Sequence, residues 1–169
     1  MTAVETVTTG LTPQQLALMY QYTVEAYKSF EKLAESLPNP LTAMMFKQFA
    51  ADERGARDLI EMKIASGTGG RVRVTLGGDM IFQEIIEGEL SFREAAEFLI
   101  ARERTMQRKL REFINAAIPA DRNLLVYLDT EKRAHAVELE RELELIKTDA
   151  DWWKREDAES RIVHGPIDA

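Results

Sequence analysis

Four long segments of the chain repeat apolar residues at helical spacing, and each is bounded by a capping residue or a proline. Stripes of that kind give each helix one face to bury, so the chain is driven to pack helix against helix. Thr12-Pro13-Gln14-Gln15 combines an N-cap, a proline at the first helical position and a capping box. Leu16, Met19, Tyr20, Ala26, Tyr27, Phe30, Leu33, Ala34 and Leu37 then form the first stripe. Pro38-Asn39-Pro40 ends that helix and starts the next, with Asn39 as its N-cap. Leu41, Met45, Phe46, Phe49, Ala56, Ile60 and Ile64 form the second stripe. So short a link predicts antiparallel neighbours.

The stretch SGTGGRVRVTLGGD, from Ser66 to Asp79, is of another kind. It is rich in glycine, and it lacks the Gly-Lys-Ser or Gly-Lys-Thr of a phosphate-cradling loop. It reads as a long crossover with some extended backbone, followed by a short extra helix from Asp79 to near Gly88. Ser91-Phe92-Arg93-Glu94 is a second capping box and opens a long helix striped by Ala95, Leu99, Met106, Leu110, Phe113 and Ala117. Pro119 breaks it, and the last long helix is expected to start near Asp121 with Leu124, Tyr127, Leu128, Ala134, Leu139, Leu145 and Ile146. The order is helix pair, long crossover, helix pair. That predicts an all-α fold over residues 1–150, a four-helix bundle with the ferritin-like connectivity. Residues 151–169 form a C-terminal tail, whose Trp152 and Trp153 are expected either to dock on a second copy or to fold back on their own chain.

A chain of 169 residues is long enough for one domain with a real core. Its net charge of −7, without a basic patch, argues against nucleic acid as a partner. No apolar run approaches the ~20 residues needed to span a bilayer, so no membrane partner is expected. The opening MTAVETVTTG has no basic stretch followed by an apolar one and does not read as a secretory signal. The absence of cysteine removes disulfides, thiolate metal sites and cysteine nucleophiles. With His135 and His164 as the sole histidines, no Ser-His-Asp arrangement is suggested. The expectation is a cytoplasmic protein, with a homodimer as the commonest assembly. His164 reads as a solvated loop residue, and Met44, Met45 and Met106 as core packing.

Three residues do not suit their stripes. Glu53, Glu103 and Glu131 each stand near the middle of an apolar face on a different helix, with His135 one turn beyond Glu131. A buried charge is costly unless it is paired or metal-bound, and carboxylates with histidine inside a bundle are how non-haem metal sites are built. Thr23 stands at the matching height on the first helix. A faint repeat relates Asp52-Glu53-Arg54-Gly55-Ala56-Arg57 to Thr130-Glu131-Lys132-Arg133-Ala134-His135.

At this point the chain resembles the rubrerythrin group of the ferritin-like superfamily. The resemblance covers residues 12–148 and lies in helix order, the crossover and segments such as Phe46-Lys47-Gln48-Phe49-Ala50-Ala51-Asp52-Glu53-Arg54. It implies a two-iron site acting on oxygen or peroxide, held by a Glu on the first helix of each pair and a Glu-x-x-His on the second. Carried over position by position, Glu53, Glu103 and Glu131 match ligand glutamates. Thr23 falls where another glutamate is expected, and Ala56 and Ala134 where the two histidines are expected. His135 comes one residue late, Arg57 holds the corresponding place in the other half, and no cysteines supply a rubredoxin-type centre. The expected ligands are therefore Glu53, Glu103, Glu131 and His135, with Glu138 as a ligand or supporting group. They would hold one iron or an asymmetric pair, with zinc or manganese as other candidates. The alternative is a metal-free bundle with a degenerate site, serving as an interaction or assembly module. There Arg57 would pair with the buried carboxylates as a replacement cation.

Overall fold

A computed structural model describes residues 10–67 and 88–165. Among these residues there are five α-helices, one 3₁₀ turn and no strand. The helices are α1 (Pro13–Ser36), α2 (Pro40–Ser66), α3 (Phe92–Ala116), α4 (Pro119–Thr148) and the short α5 (Ala158–His164). The Gly-rich crossover and the expected short helix from Asp79 to near Gly88 lie outside the described residues, apart from their flanking ends.

The caps form as the residue types dictate. Gln15 N donates to Thr12 Oγ1 at 3.2 Å and Thr12 N to Gln15 Oε1 at 3.0 Å, which completes the capping box of α1. Asn39 Oδ1 accepts from Leu41 N and Thr42 N at the head of α2. Ser91 Oγ accepts from Glu94 N at the head of α3. Each such cap is worth about 1 kcal/mol. Pro119 ends no helix from within: α3 stops at Ala116, and Pro119 is the first residue of α4. Its missing N–H costs nothing there, because the first N–H groups of a helix have no intrahelical partner.

Cross-links fix the helix directions. Tyr20 reaches Glu61 and Glu31 reaches Arg54, so α1 and α2 run antiparallel. Arg104 meets Glu140 and Arg111 meets Asp129, so α3 and α4 do the same. The two pairs join through α2 and α4, where Thr42 meets Glu142, Glu53 meets Lys132 and Lys63 meets Asp121. Asp121 also accepts from Leu11 N at 2.8 Å, tying the start of the chain to α4.

Within this bundle the apolar side chains fall into two clusters. One, at the α1–α2 turn, gathers Phe30, Phe46, Phe49, Leu99, Leu139 and Trp153. The other, at the opposite end, gathers Leu16, Met19, Ile60, Met106, Leu110, Leu125 and Leu128. In sequence Glu53 lies between the α2 members of the two clusters, Glu103 between those of α3, and Lys132 and His135 between those of α4. A polar layer therefore crosses the bundle at mid-height.

The tail folds back on its own chain. Trp152 and Trp153 are buried, and the Trp153 ring meets Phe46 and Phe92 at centroid distances of 5.5 and 5.4 Å. Asn39 Nδ2 donates to Trp152 O at 2.7 Å, so one residue caps α2 and holds the tail. Two expectations are corrected here. His164 is exposed but lies in the last turn of α5, and Met44 is 65% exposed while Met45 and Met106 are buried. No helix among the described residues is long and apolar enough to cross a membrane.

Candidate metal centre

Glu53 comes from α2, Glu103 from α3, and Lys132 and His135 from α4; their exposures are 0%, 0%, 1% and 2%. Each stands on its helix's buried stripe, so ordinary amphipathic packing carries all four inward. Glu53, Glu103 and His135 each offer one ligand atom, and these atoms lie within 4.8 Å of one another.

His135 is fixed from two sides. Its ring stacks at a tilt on Phe49 with centroids 4.1 Å apart, and Phe30 meets it edge-on at 6.1 Å. Nε2 lies 2.9 Å from Asp52 Oδ2. Burial works to raise the Asp52 carboxyl, but hydrogen bonds from His135 and Gln48 outweigh it and hold the group below its usual range. Asp52 is therefore an ionised acceptor, which assigns the ring proton to Nε2. Burial also pushes the His135 imidazole down, so it is neutral at pH 7. Its Nδ1 lone pair then faces inward, 3.6 Å from Glu53 Oε1 and 4.0 Å from Glu103 Oε1.

The centre is rich in acceptors and poor in donors. Glu53 Oε2 and His135 Nδ1 are buried without a hydrogen-bond partner among the described residues, and on Glu103 the Tyr22 hydroxyl and the Arg102 guanidinium act. The fully buried cation among them is Lys132, which bonds Glu53 and lies 3.8 Å from Glu103 Oε2, while the Arg102 guanidinium also acts on Glu103. Its Nζ also sits 4.8 Å from the centroid of the Tyr22 ring. Burial pulls the Lys132 ammonium down to about 7. Burial likewise pushes Glu103 up to about 7; Arg102 and the Tyr22 hydroxyl oppose that shift and the charge of Glu131 adds to it. Burial thus brings the acid and the ammonium into the same range near neutrality.

The other expected site residues lie outside the Glu-Glu-His group, although the charge of Glu131 reaches Glu103. Glu131 is half-buried beside Tyr127, outside the Glu-Glu-His group; burial pushes it up to about 7, and its hydrogen bond raises the Tyr127 phenol. Glu138 is exposed on α4. The Thr23 hydroxyl is buried but donates to Tyr20 O at 2.8 Å. Arg57 pairs with Asp58 at 3.1 Å and lies over the Tyr27 ring, so it is a surface residue and not the internal cation. Ala56 is buried and Ala134 exposed.

The internal cation is Lys132, which the sequence reading passed over. The signal was present in the spacing: Leu125, Leu128, Lys132, His135, Leu139, Glu142 and Ile146 alternate steps of three and four and are all buried. Taking Leu124, Glu131 and Ala134 as the inward face shifts the phase by one residue. That exchanges Lys132 for Glu131.

Fold and site together define a helical bundle with a buried Glu-Glu-His group that could bind a metal ion. No protein-family model, curated protein or solved structure matches the chain.

Proposed function

We propose that this chain is a ferritin-like metal-binding protein, taking one divalent cation on Glu53, Glu103 and His135. The observation that carries this reading is the convergence of ligand atoms from Glu53, Glu103 and His135 in the bundle centre, with Glu53 Oε2 and His135 Nδ1 buried and unpaired among the described residues. Acceptors left unpaired at this depth are costly, and a cation between them removes the cost. Two carboxylates and one imidazole suit iron, with manganese or zinc as the nearest competitors. The two antiparallel helix pairs and the expected crossover between them agree with ferritin-like connectivity. Thr23, turned to its own backbone, and Glu131, beside Tyr127, favour one metal over two.

Bound iron would supply electron-transfer chemistry towards oxygen or peroxide. The chain's own part is to hold the ion away from water between two apolar clusters and to orient His135 through Asp52.

One observation favours a second reading. Lys132 already occupies the centre, so the layer could persist as a metal-free ionic network in a bundle that serves as an interaction module. Metal analysis of protein purified without chelator, and again after adding Fe(II), Mn(II) or Zn(II), separates the two. The metal reading expects about one equivalent in the wild type, lost in Glu53→Gln and His135→Gln and kept in Glu138→Ala. Less than about a tenth of an equivalent after every addition would leave the metal-free network as the surviving reading.

A further inference from the structure

Lys132 cannot leave the bundle centre easily. It lies on the buried stripe of α4 between Leu128 and His135, and its side chain is 1% exposed. Its ammonium bonds one carboxylate of the Glu-Glu-His group and lies 3.8 Å from the other. A metal held by Glu53 and Glu103 needs those same carboxylates, so ion and ammonium cannot both take them. Beside the ammonium is the face of Tyr22, 4.8 Å from Nζ to the ring centroid. An aromatic face attracts a cation, and the flexible four-carbon stem of lysine permits a short swing.

We infer that Lys132 is a tethered competitor that guards the metal site and sets which cations enter it. The inference rests on the metal reading above. A monovalent ion brings no more charge to Glu53 and Glu103 than the ammonium does, and the ammonium has the advantage of its tether. A divalent ion brings twice the charge and can use the Nδ1 lone pair of His135, which Lys132 leaves unpartnered. The site therefore admits divalent transition ions and rejects sodium and potassium. Its affinity is held below what the same three ligands would give without the lysine.

The test compares wild type, Lys132→Met and Lys132→Arg, with Zn(II) as probe and a chromophoric chelator as competitor. Methionine keeps the length and removes the charge, so Zn(II) affinity should rise at least ~10-fold. Arginine keeps the tethered cation and offers a fork of donors that both carboxylates can accept, so affinity should fall at least ~10-fold. The metal-induced rise in melting temperature should follow the same order. Should Lys132→Met fail to fold without metal, Lys132→Arg alone decides, because it preserves the internal pair. Unchanged affinity in both variants, or weaker binding in Lys132→Met, would overturn the inference, the latter by making Lys132 a ligand. A wild type that takes up no Zn(II) while Lys132→Met binds it would defeat the metal function and leave the competition intact. Wild-type binding indifferent to Lys132 would do the reverse.

Discussion

Glu142 and Glu103 are the same residue type at nearly the same depth, 4% and 0% exposed, yet their surroundings differ completely. Glu142 Oε1 accepts the Thr42 hydroxyl at 2.7 Å and Oε2 accepts the Trp152 indole N–H at 2.9 Å. Those donors come from α2 and the tail, so this carboxylate fastens three parts of the chain together. In the mid-height layer the Lys132 ammonium bonds Glu53 and lies 3.8 Å from Glu103, Arg102 and the Tyr22 hydroxyl act on Glu103, and Glu53 Oε2 has no hydrogen-bond partner among the described residues. Burial by itself does not mark a functional carboxylate. The supply of donors does, because a fully paired acid is part of the scaffold while an under-supplied one still has room for a ligand.

The contrast can be broken most directly by truncating each glutamate in turn. Glu53→Ala removes the carboxylate that the Lys132 ammonium bonds and leaves it only Glu103 at 3.8 Å, and the metal-free protein should lose about 3–5 kcal/mol in urea unfolding. Adding Lys132→Met should return most of that, since the poorly paired buried ammonium is then gone. Glu142→Ala leaves only neutral donors unpaired and should cost about 1–3 kcal/mol. It should leave metal uptake unchanged. Loss of uptake in Glu142→Ala would erase the division between scaffold and site.

Glu103 also predicts a response to pH. Burial pushes Glu103 up to about 7 from its ordinary 4.5. The folded chain then keeps a proton that the unfolded chain has released. That contribution to stability is complete below about 4.5 and is lost as pH rises through about 7. Lys132 is pulled down from 10.5 to about 7, so its burial penalty is present below 7 and relieved as pH climbs towards 10.5. Between pH 5 and 7.5 the metal-free wild type should therefore lose about 1–3 kcal/mol relative to Glu103→Gln. His135 titrates in both proteins and largely cancels from the difference. Parallel stability profiles would mean that Glu103 stays ionised throughout.

The helix ends were legible because caps and prolines act locally: Thr12, Asn39 and Ser91 cap where their side chains can reach free N–H groups. Glu53 and Glu103 were legible because α2 and α3 have buried stripes that read in a single phase. On α4 the apolar residues Leu124, Tyr127 and Leu145 flank the buried stripe on partly or fully exposed positions, and they pulled the apparent phase by one residue. His135 is flagged in either phase, whereas Lys132 and Glu131 change places. The fate of the tail was not readable, since the Trp152–Trp153 dock depends on Asn39 and Glu142, distant in sequence. Nothing local to either tryptophan names those partners.

The smallest expected effect concerns the cation that sequence spacing placed in the interior. Arg57 is bonded to Asp58, lies over Tyr27 and touches neither Glu53 nor Glu103. An exposed ion pair of this kind contributes little, because water screens it and two long side chains must be ordered to form it. Arg57→Ala should shift stability by no more than about 1 kcal/mol, chiefly through the lost contact with Tyr27. Its metal uptake and its pH profile should match the wild type. Set against Lys132→Met, it isolates position from charge: both substitutions delete one cation from the bundle, and only the one between Glu53 and Glu103 alters the site. A changed metal affinity in Arg57→Ala would mean that the layer responds to net charge across the bundle and not to the ammonium at its centre.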